Sequence, residues 1–198
     1  MNKKDFRILI VDDDDIAREV VGSVLSREGY SVLSSRDGLQ AISTLMTEEV
    51  GMVITDYRMP GADGLEVLKS AVRASPDISV VIITAYGTLD GTLEAIAEGA
   101  YDYLTKPFKI QQIIIVADRA FRRARLIKEN HDLRQQLRET YRDIKLLKTV
   151  SDGGNPCITA DWIEKVERLK SSNILSLAEA EILKERLIRG DGRQDFNS

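Results

Sequence analysis

Met52-Val53-Ile54-Thr55-Asp56-Tyr57-Arg58-Met59-Pro60-Gly61-Ala62-Asp63-Gly64 is the stretch whose reading decides the fold. The run from Met52 to Thr55 lacks polar alternation, so it reads as a strand buried on both faces, the usual condition in a parallel sheet covered by helices. Pro60, Gly61 and Gly64 break the backbone directly afterwards, which puts Asp56 at a strand-to-loop junction. That junction is the C-terminal edge of the strand, where open α/β sheets bind ligands.

Working outward, the flanking chain repeats the same unit. Phe6 to Val11 is a second apolar run and ends in Asp12-Asp13-Asp14-Asp15. Asp14 or Asp15 can cap the helix through Ile16, Val20, Val21, Val24 and Leu25, with Gly29 at its end, which leaves Asp12 and Asp13 over. A strand over Tyr30 to Ser34 and a helix over Asp37 to Glu49, with apolar spacing at Leu39, Ile42 and Leu45, precede the Asp56 strand. Beyond it come a helix from Leu65 to Ala74, a strand over Val80 to Thr84, a helix from Leu89 to Glu98 and a short strand over Tyr101 to Leu104. Thr105-Lys106-Pro107-Phe108 forms a turn. Five strands alternating with helices over about 115 residues predict a doubly wound parallel sheet of order 2-1-3-4-5 with right-handed crossovers.

Composition limits the function classes. The chain has 198 residues, 30% of them charged, and a net charge of −4, which argues against a general polyanion binder. Residues 117–150 reverse the sign, with ten Lys/Arg against five Asp/Glu. The one cysteine, Cys157, excludes an internal disulfide and has no metal-ligand companion, which fits a reducing compartment. No apolar stretch is long enough for a bilayer, and Met1-Asn2-Lys3-Lys4 leads straight into a strand without a leader-like segment. The expected location is the cytoplasm, without membrane association.

The expected topology brings Asp12, Asp13, Asp56, Thr84 and Lys106 to one sheet edge. Clustered carboxylates repel unless a cation shares the site, and Mg²⁺ is the natural occupant for so few oxygen ligands. A carboxylate can attack phosphorus to give an acyl phosphate, with Lys106 as a point charge and Thr84 as a hydroxyl donor for the developing negative charge. A solvated lysine or a strand-end threonine is ordinary by itself. All five groups at these spacings are not.

These residues resemble the receiver domains of two-component response regulators. The likeness covers Asp5 to Phe121 and rests on Asp12/Asp13, the Asp56 segment with Met59-Pro60 and Asp63-Gly64, Ile83-Thr84-Ala85, and Lys106-Pro107-Phe108. It implies a flavodoxin-like sheet and an Asp56 that accepts phosphate from a histidine kinase or a phosphotransfer protein. By the same resemblance Asp13 ligates Mg²⁺ directly, Asp12 largely through water, and the Arg58 backbone carbonyl adds a ligand. Thr84 and Lys106 contact the phosphoryl oxygens, and Thr84 with Tyr103 forms the switch; Tyr101 is the rival aromatic but lacks the family's spacing before Lys106. Thr84-Ala85-Tyr86-Gly87-Thr88 and residues 99–108 are similar to the nitrogen-regulation branch, whose members carry an ATPase and a DNA-binding domain. No Gly-rich Lys-Ser/Thr loop stands here for an ATPase, so that output does not transfer.

A long helix is expected next, since no breaker occurs from Ile110 to Gly153. Leu126, Leu133, Thr140 and Leu147 fall at d and Asn130, Leu137 and Ile144 at a, giving a coiled-coil seam of about three heptads in which the a-position Asn favours a register-fixed pair. Glu129 then faces Arg134 and Asp143 faces Lys148 in a parallel homodimer through residues 126–147. The other reading is a solitary helix packed on the C-terminal segment. Arg119, Arg122, Arg123 and Arg125 precede the seam; a solvated face is favoured over phosphate contact. His131 falls at b, on the surface.

Gly153-Gly154-Asn155-Pro156 is a break. After it, Asp161 to Lys170 puts Trp162, Ile163, Val166 and Leu169 on one helical face, Ser171-Ser172-Asn173 interrupts, and Leu177 to Ile188 forms a second helix behind a Ser176/Glu179 capping box. Residues 166–188 resemble the short C-terminal helical module called SHOCT; 190–198 read as a disordered tail. The expected domains are a receiver over 1–121, a coiled-coil extension over 117–150 and a small all-α module over 151–198.

Three functions compete. The first is a phosphorylation-controlled regulator whose output is dimerisation and protein contact, its target unidentified. A DNA-binding transcriptional regulator is second, although two helices make an incomplete helix-turn-helix. A phosphatase of small esters is third and would need an acid/base two positions after its nucleophile, where Arg58 stands, so no stand-alone enzyme is expected.

Overall fold

The computed structural model describes residues 1–85, 89–151, 160–172 and 174–189, leaving aside the side chains of 89–92, 143–151, 160–162 and 186–189. Tyr86 to Thr88, the Gly153 to Pro156 break, Cys157, Asn173 and the 190–198 tail therefore lie outside the described residues. The chain forms two compact units, Met1–Glu129 and Asn130–Ser198.

In the first unit a single 3-10 turn, Lys3–Asp5, leads into β1 (Arg7–Val11), α1 (Asp15–Arg27), β2 (Ser31–Ser35), α2 (Gly38–Thr47), β3 (Met52–Asp56), α3 (Gly64–Ala74), β4 (Ser79–Thr84), α4 (Leu89–Ala97) and β5 (Asp102–Thr105). The strands form one parallel sheet of order β2-β1-β3-β4-β5, as the alternation of strand and helix patterns predicts. Every residue of β3 and β4 is buried, because helices cover both faces.

One face packs Ile8, Ile10, Ile54 and Ile83 against Val21 and Leu25 of α1 and Ile113 and Ala117 of the next helix. The opposite face packs Leu9, Val53, Val80 and Ile82 against Leu45 of α2 and Leu68 of α3. Burying each such side chain contributes roughly 1.5–3 kcal/mol before entropy is charged. The helical stripes are narrower than their apolar spacing suggests: Ile16, Val20 and Leu39 are exposed. Residues at i and i+4, Val21 and Leu25, already span the contact of α1 with the sheet, so apolar neighbours on the flank gain no partner.

Carboxylate caps start the helices that frame the sheet edge. Asp14 accepts from the Ile16 and Ala17 N–H groups, and Asp37 accepts from the Gln40 N–H. Asp63 accepts from Leu65 and Glu66 while Glu66 accepts from the Asp63 N–H, so both orphan donors find partners. Gly29, at φ +90, closes α1 in the left-handed region that favours glycine.

α5 (Ile110–Ser151) is a single helix of 42 residues. Along it Leu126, Leu133 and Leu137 are 60%, 64% and 68% exposed. Ile144, Leu147 and the Asp143/Lys148 pair lie where side chains are not described. α6 (Ala160–Ser171) and α7 (Leu177–Arg189) follow. They enclose Val166, Leu169 and Ala180, with Leu175 and Leu183 beside them, and Lys184 of α7 is ion-paired to Glu167 of α6. Ser176 caps α7: its hydroxyl accepts from the Glu179 N–H while Glu179 accepts from the Ser176 N–H. Among the described residues no helix is long and apolar enough to cross a membrane.

Candidate functional site

Four strand ends build the site. β1 and β3 are neighbours, with Val11 opposite Thr55, so the chain leaves both strands at the same level and Asp12 and Asp56 emerge side by side. β5 lies beyond β4, where Thr84 is opposite Thr105, and the next residue, Lys106, donates its N–H to the Thr84 carbonyl at 2.7 Å. The Lys106 side chain then reaches back across the edge. Its Nζ stands 2.6 Å from Asp56 Oδ1 and 3.1 Å from Asp12 Oδ2.

Asp12 and Asp56 are both buried. Two carboxylates so placed are costly unless neutralised, and the shared ammonium does this. Burial works to lower the Lys106 ammonium, but its hydrogen bonds to Asp56 and Asp12 outweigh that and leave it above its ordinary value. The remaining carboxylate oxygens hold the loops in place: Arg58 donates its N–H to Asp56 Oδ2 at 2.8 Å, and Asp14 donates its N–H to Asp12 Oδ1 at 3.0 Å. Gly64 completes the loop after β3, since a Cβ there would stand 2.4 Å from the Asp56 carbonyl oxygen.

Asp12, Asp56, Thr84 and Lys106 are thus brought to one edge. Thr84 is buried at the end of β4 and has polar partners of its own. Asp13 is exposed, and among the described residues no three carboxylate or imidazole groups close into a cage. The donor set is nevertheless all oxygen, from Asp12, Asp13, Asp56 and the Arg58 carbonyl, which fits a small hard cation that keeps several waters. Tyr103 is opposite Ile82 and packs with the α2/α3 face of the core, whereas Tyr101 packs with the α1/α5 face under the Arg123 guanidinium, 5.8 Å from its ring centroid.

Sequence reading missed Arg18. Its Nη1 donates to the Asp12 carbonyl oxygen at 2.6 Å and its Nη2 is paired to the Asp15 carboxylate. The signal available was the Asp15/Arg18 spacing of three residues in the first turn of a helix. The basic cluster is also less free than its sequence suggests: Arg119 is 3.7 Å from Asp102, Arg125 is 3.4 Å from Glu129, and Arg123 donates to the Asp77 carbonyl at 2.7 Å.

The chain is similar to known proteins in sequence and in fold. The chain is 27% identical over 194 residues to the C4-dicarboxylate transport transcriptional regulatory protein DctD of Rhizobium meliloti, covering 86% of this chain and 42% of that protein. It is 39% identical over 111 residues to the DNA-binding transcriptional regulator NtrC of Klebsiella pneumoniae, covering 56% and 24%. The chain therefore spans less than half the length of these curated relatives. Among solved structures, the beryllofluoride-activated NtrC4 receiver domain dimer superposes with a TM-score of 0.56 at 29% identity, over 59% of this chain and 96% of that one. A family model described as the response regulator receiver domain matches residues 8–118. With more than half its length in that match, and with the same sheet, the chain belongs to the response regulator receiver domain family of two-component systems.

Proposed function

We propose that Asp56 accepts a phosphoryl group from a histidine kinase or a phosphotransfer protein and that the resulting acyl phosphate controls dimerisation through α5. The observation that carries this reading is the Lys106 ammonium, 2.6 Å from Asp56 and 3.1 Å from Asp12 on a buried edge. An Asp56 carboxylate oxygen attacks phosphorus, and the P–O bond forms as the donor's P–N bond breaks; the departing nitrogen keeps the bonding pair, leaving a neutral imidazole whose other nitrogen already carries its proton. Lys106 moves from the carboxylates onto the transferred oxygens, and the Thr84 hydroxyl donates to another. Asp12, Asp13, Asp56 and the Arg58 carbonyl would hold Mg²⁺, which would supply neutralisation of the transferring group.

The new group adds about −1.5 to −2 charges and three acceptors. Thr84 is drawn toward it, Tyr103 turns into the space released, and the surface of α4, β5 and α5 changes, with phosphate biasing a two-state equilibrium. The leucines at 126, 133 and 137, exposed in one copy, are the seam of a parallel homodimer over 126–147, with 1–121 as the receiver and 151–198 as a SHOCT-like module. The chain works in the cytoplasm and turns over no substrate besides its own phosphate. DNA binding is the second reading, favoured by the similarity to NtrC, a DNA-binding transcriptional regulator; a salt-sensitive mobility shift by the full chain would establish it.

The test is phosphorylation by acetyl phosphate with Mg²⁺, resolved on a phosphate-retarding gel. A retarded band is expected for the native chain and none for Asp56→Asn. Undiminished acid-labile phosphate on Asp56→Asn would refute the assignment.

A further inference from the structure

Four consecutive carboxylates, Asp12 to Asp15, occupy the junction of β1 and α1, and they would push one another apart without a restraint. Asp14 is committed to capping α1. Asp15, with its side chain 86% exposed, is paired to Arg18. One turn into the helix, Arg18 folds back instead of extending into solvent, and only 17% of its side chain is exposed.

We infer that Arg18 is a positioning residue for the acidic turn: its guanidinium holds the Asp12 carbonyl with one arm and Asp15 with the other, fixing Asp12 and Asp13 for a divalent cation. The inference rests on the reading of Asp56 as a Mg²⁺-assisted phosphoryl acceptor. Its physical basis is the planar fork. A guanidinium satisfies two acceptors in fixed relation, whereas an ammonium is a single point charge on a flexible stem. The Asp12 carbonyl receives a charge-assisted bond of 2.6 Å, and the Asp14 N–H closes the turn onto Asp12 Oδ1. Backbone and carboxylate of Asp12 are therefore tied from two sides. Arg18 also withdraws Asp15 from competing for the cation by pairing with it.

Titration of the full-length chain with Mg²⁺ by calorimetry tests this, together with the Mg²⁺ concentration that half-saturates phosphorylation by acetyl phosphate. Loss of an outer partner of a ligand weakens metal binding by about 10–100-fold; Arg18→Ala is expected to weaken Mg²⁺ by about tenfold or more. Its phosphorylation should recover at saturating Mg²⁺, because Asp56 and Lys106 are untouched. Arg18→Lys should restore only part of the affinity. Asp15→Asn keeps the bond to the Asp12 carbonyl and should stay within about twofold of native affinity, well inside the range expected on losing an outer partner. Arg18→Met, which keeps the aliphatic stem without a donor, serves if Arg18→Ala does not fold. Native affinity in Arg18→Ala, or in Arg18→Met where that is the folded form, would overturn the inference while leaving the Asp56 reading intact. A native chain that neither binds Mg²⁺ nor takes up phosphate would overturn both.

Discussion

Lys106 is the residue on which the site's electrostatics turn. It neutralises Asp12 and Asp56, and in doing so occupies the charge that a divalent cation would supply. Lys106→Met should therefore have two opposed effects. Without Mg²⁺ it leaves two buried carboxylates uncompensated and lowers stability by about 1.5–3 kcal/mol, the range for a charged hydrogen bond. With Mg²⁺ the rise in melting temperature should exceed that of the native chain, since no ammonium competes for the oxygens. Thermal unfolding at several Mg²⁺ concentrations checks both; equal Mg²⁺-induced shifts in the two proteins would contradict the competition. Gly64 is the second decisive residue. A Cβ there meets the Asp56 carbonyl at 2.4 Å, so Gly64→Ala should cost roughly 1–3 kcal/mol in urea unfolding, as overpacking does.

At the scale of elements, α5 is latched through Asp118 to the segments that lead into β1 and β2. The Tyr30 hydroxyl donates to Asp118 Oδ1 at 2.6 Å, Lys3 Nζ is 2.8 Å from the same oxygen and 4.6 Å from the centre of the Tyr30 ring. Phe6, Tyr30 and Phe121 meet edge to face beneath. Bonds from Lys3 and Tyr30 hold the Asp118 carboxyl below its ordinary 3.8. Because the folded value is the lower one, the latch contributes its stability above the ordinary carboxyl value and loses it as pH falls through the folded value. Acid titration of unfolding free energy should show a steeper decline between pH 4 and lower pH in the native chain than in Asp118→Asn. Superimposable curves would remove the latch. Burial and the bond to Asp118 push the Tyr30 phenol up, so it stays protonated throughout that range.

Much of this scale was legible in the sequence. Strand order followed from the alternation of apolar runs with helical spacing, and the Ser176 cap from residue type and offset; for α1 residue type left Asp14 and Asp15 open, and Asp14 is the cap. Other features were not. The Tyr30–Asp118 bond joins residues 88 apart, and no local pattern encodes it. Exposure of Ile16, Val20 and Leu39 depends on how wide a strip each helix lays on the sheet, which periodicity does not specify. Arg18 was hidden because its direction is set by the turn it holds. The Arg119 to Arg125 cluster reads as a solvated face, yet Arg119 pairs with Asp102 of β5 and Arg123 with the Asp77 carbonyl in the loop before β4, partners remote in sequence.

At the scale of the whole molecule, the proposed function couples the Asp56 edge to a 42-residue helix that would pair two copies. Exposed leucines at 133 and 137 should be the seam, so the Leu133→Asp/Leu137→Asp double variant should sediment as a monomer at tens of micromolar while still accepting phosphate. Native chain that stays monomeric in both states would remove the dimer and keep the acceptor. The acceptor itself is tested most directly by treating phosphorylated chain with borohydride, which reduces an aspartyl phosphate to homoserine, and locating the product by peptide mass spectrometry. Homoserine at position 56 alone is the result this account predicts. Reduction at another carboxylate, or at none in chain that carries phosphate, would contradict it.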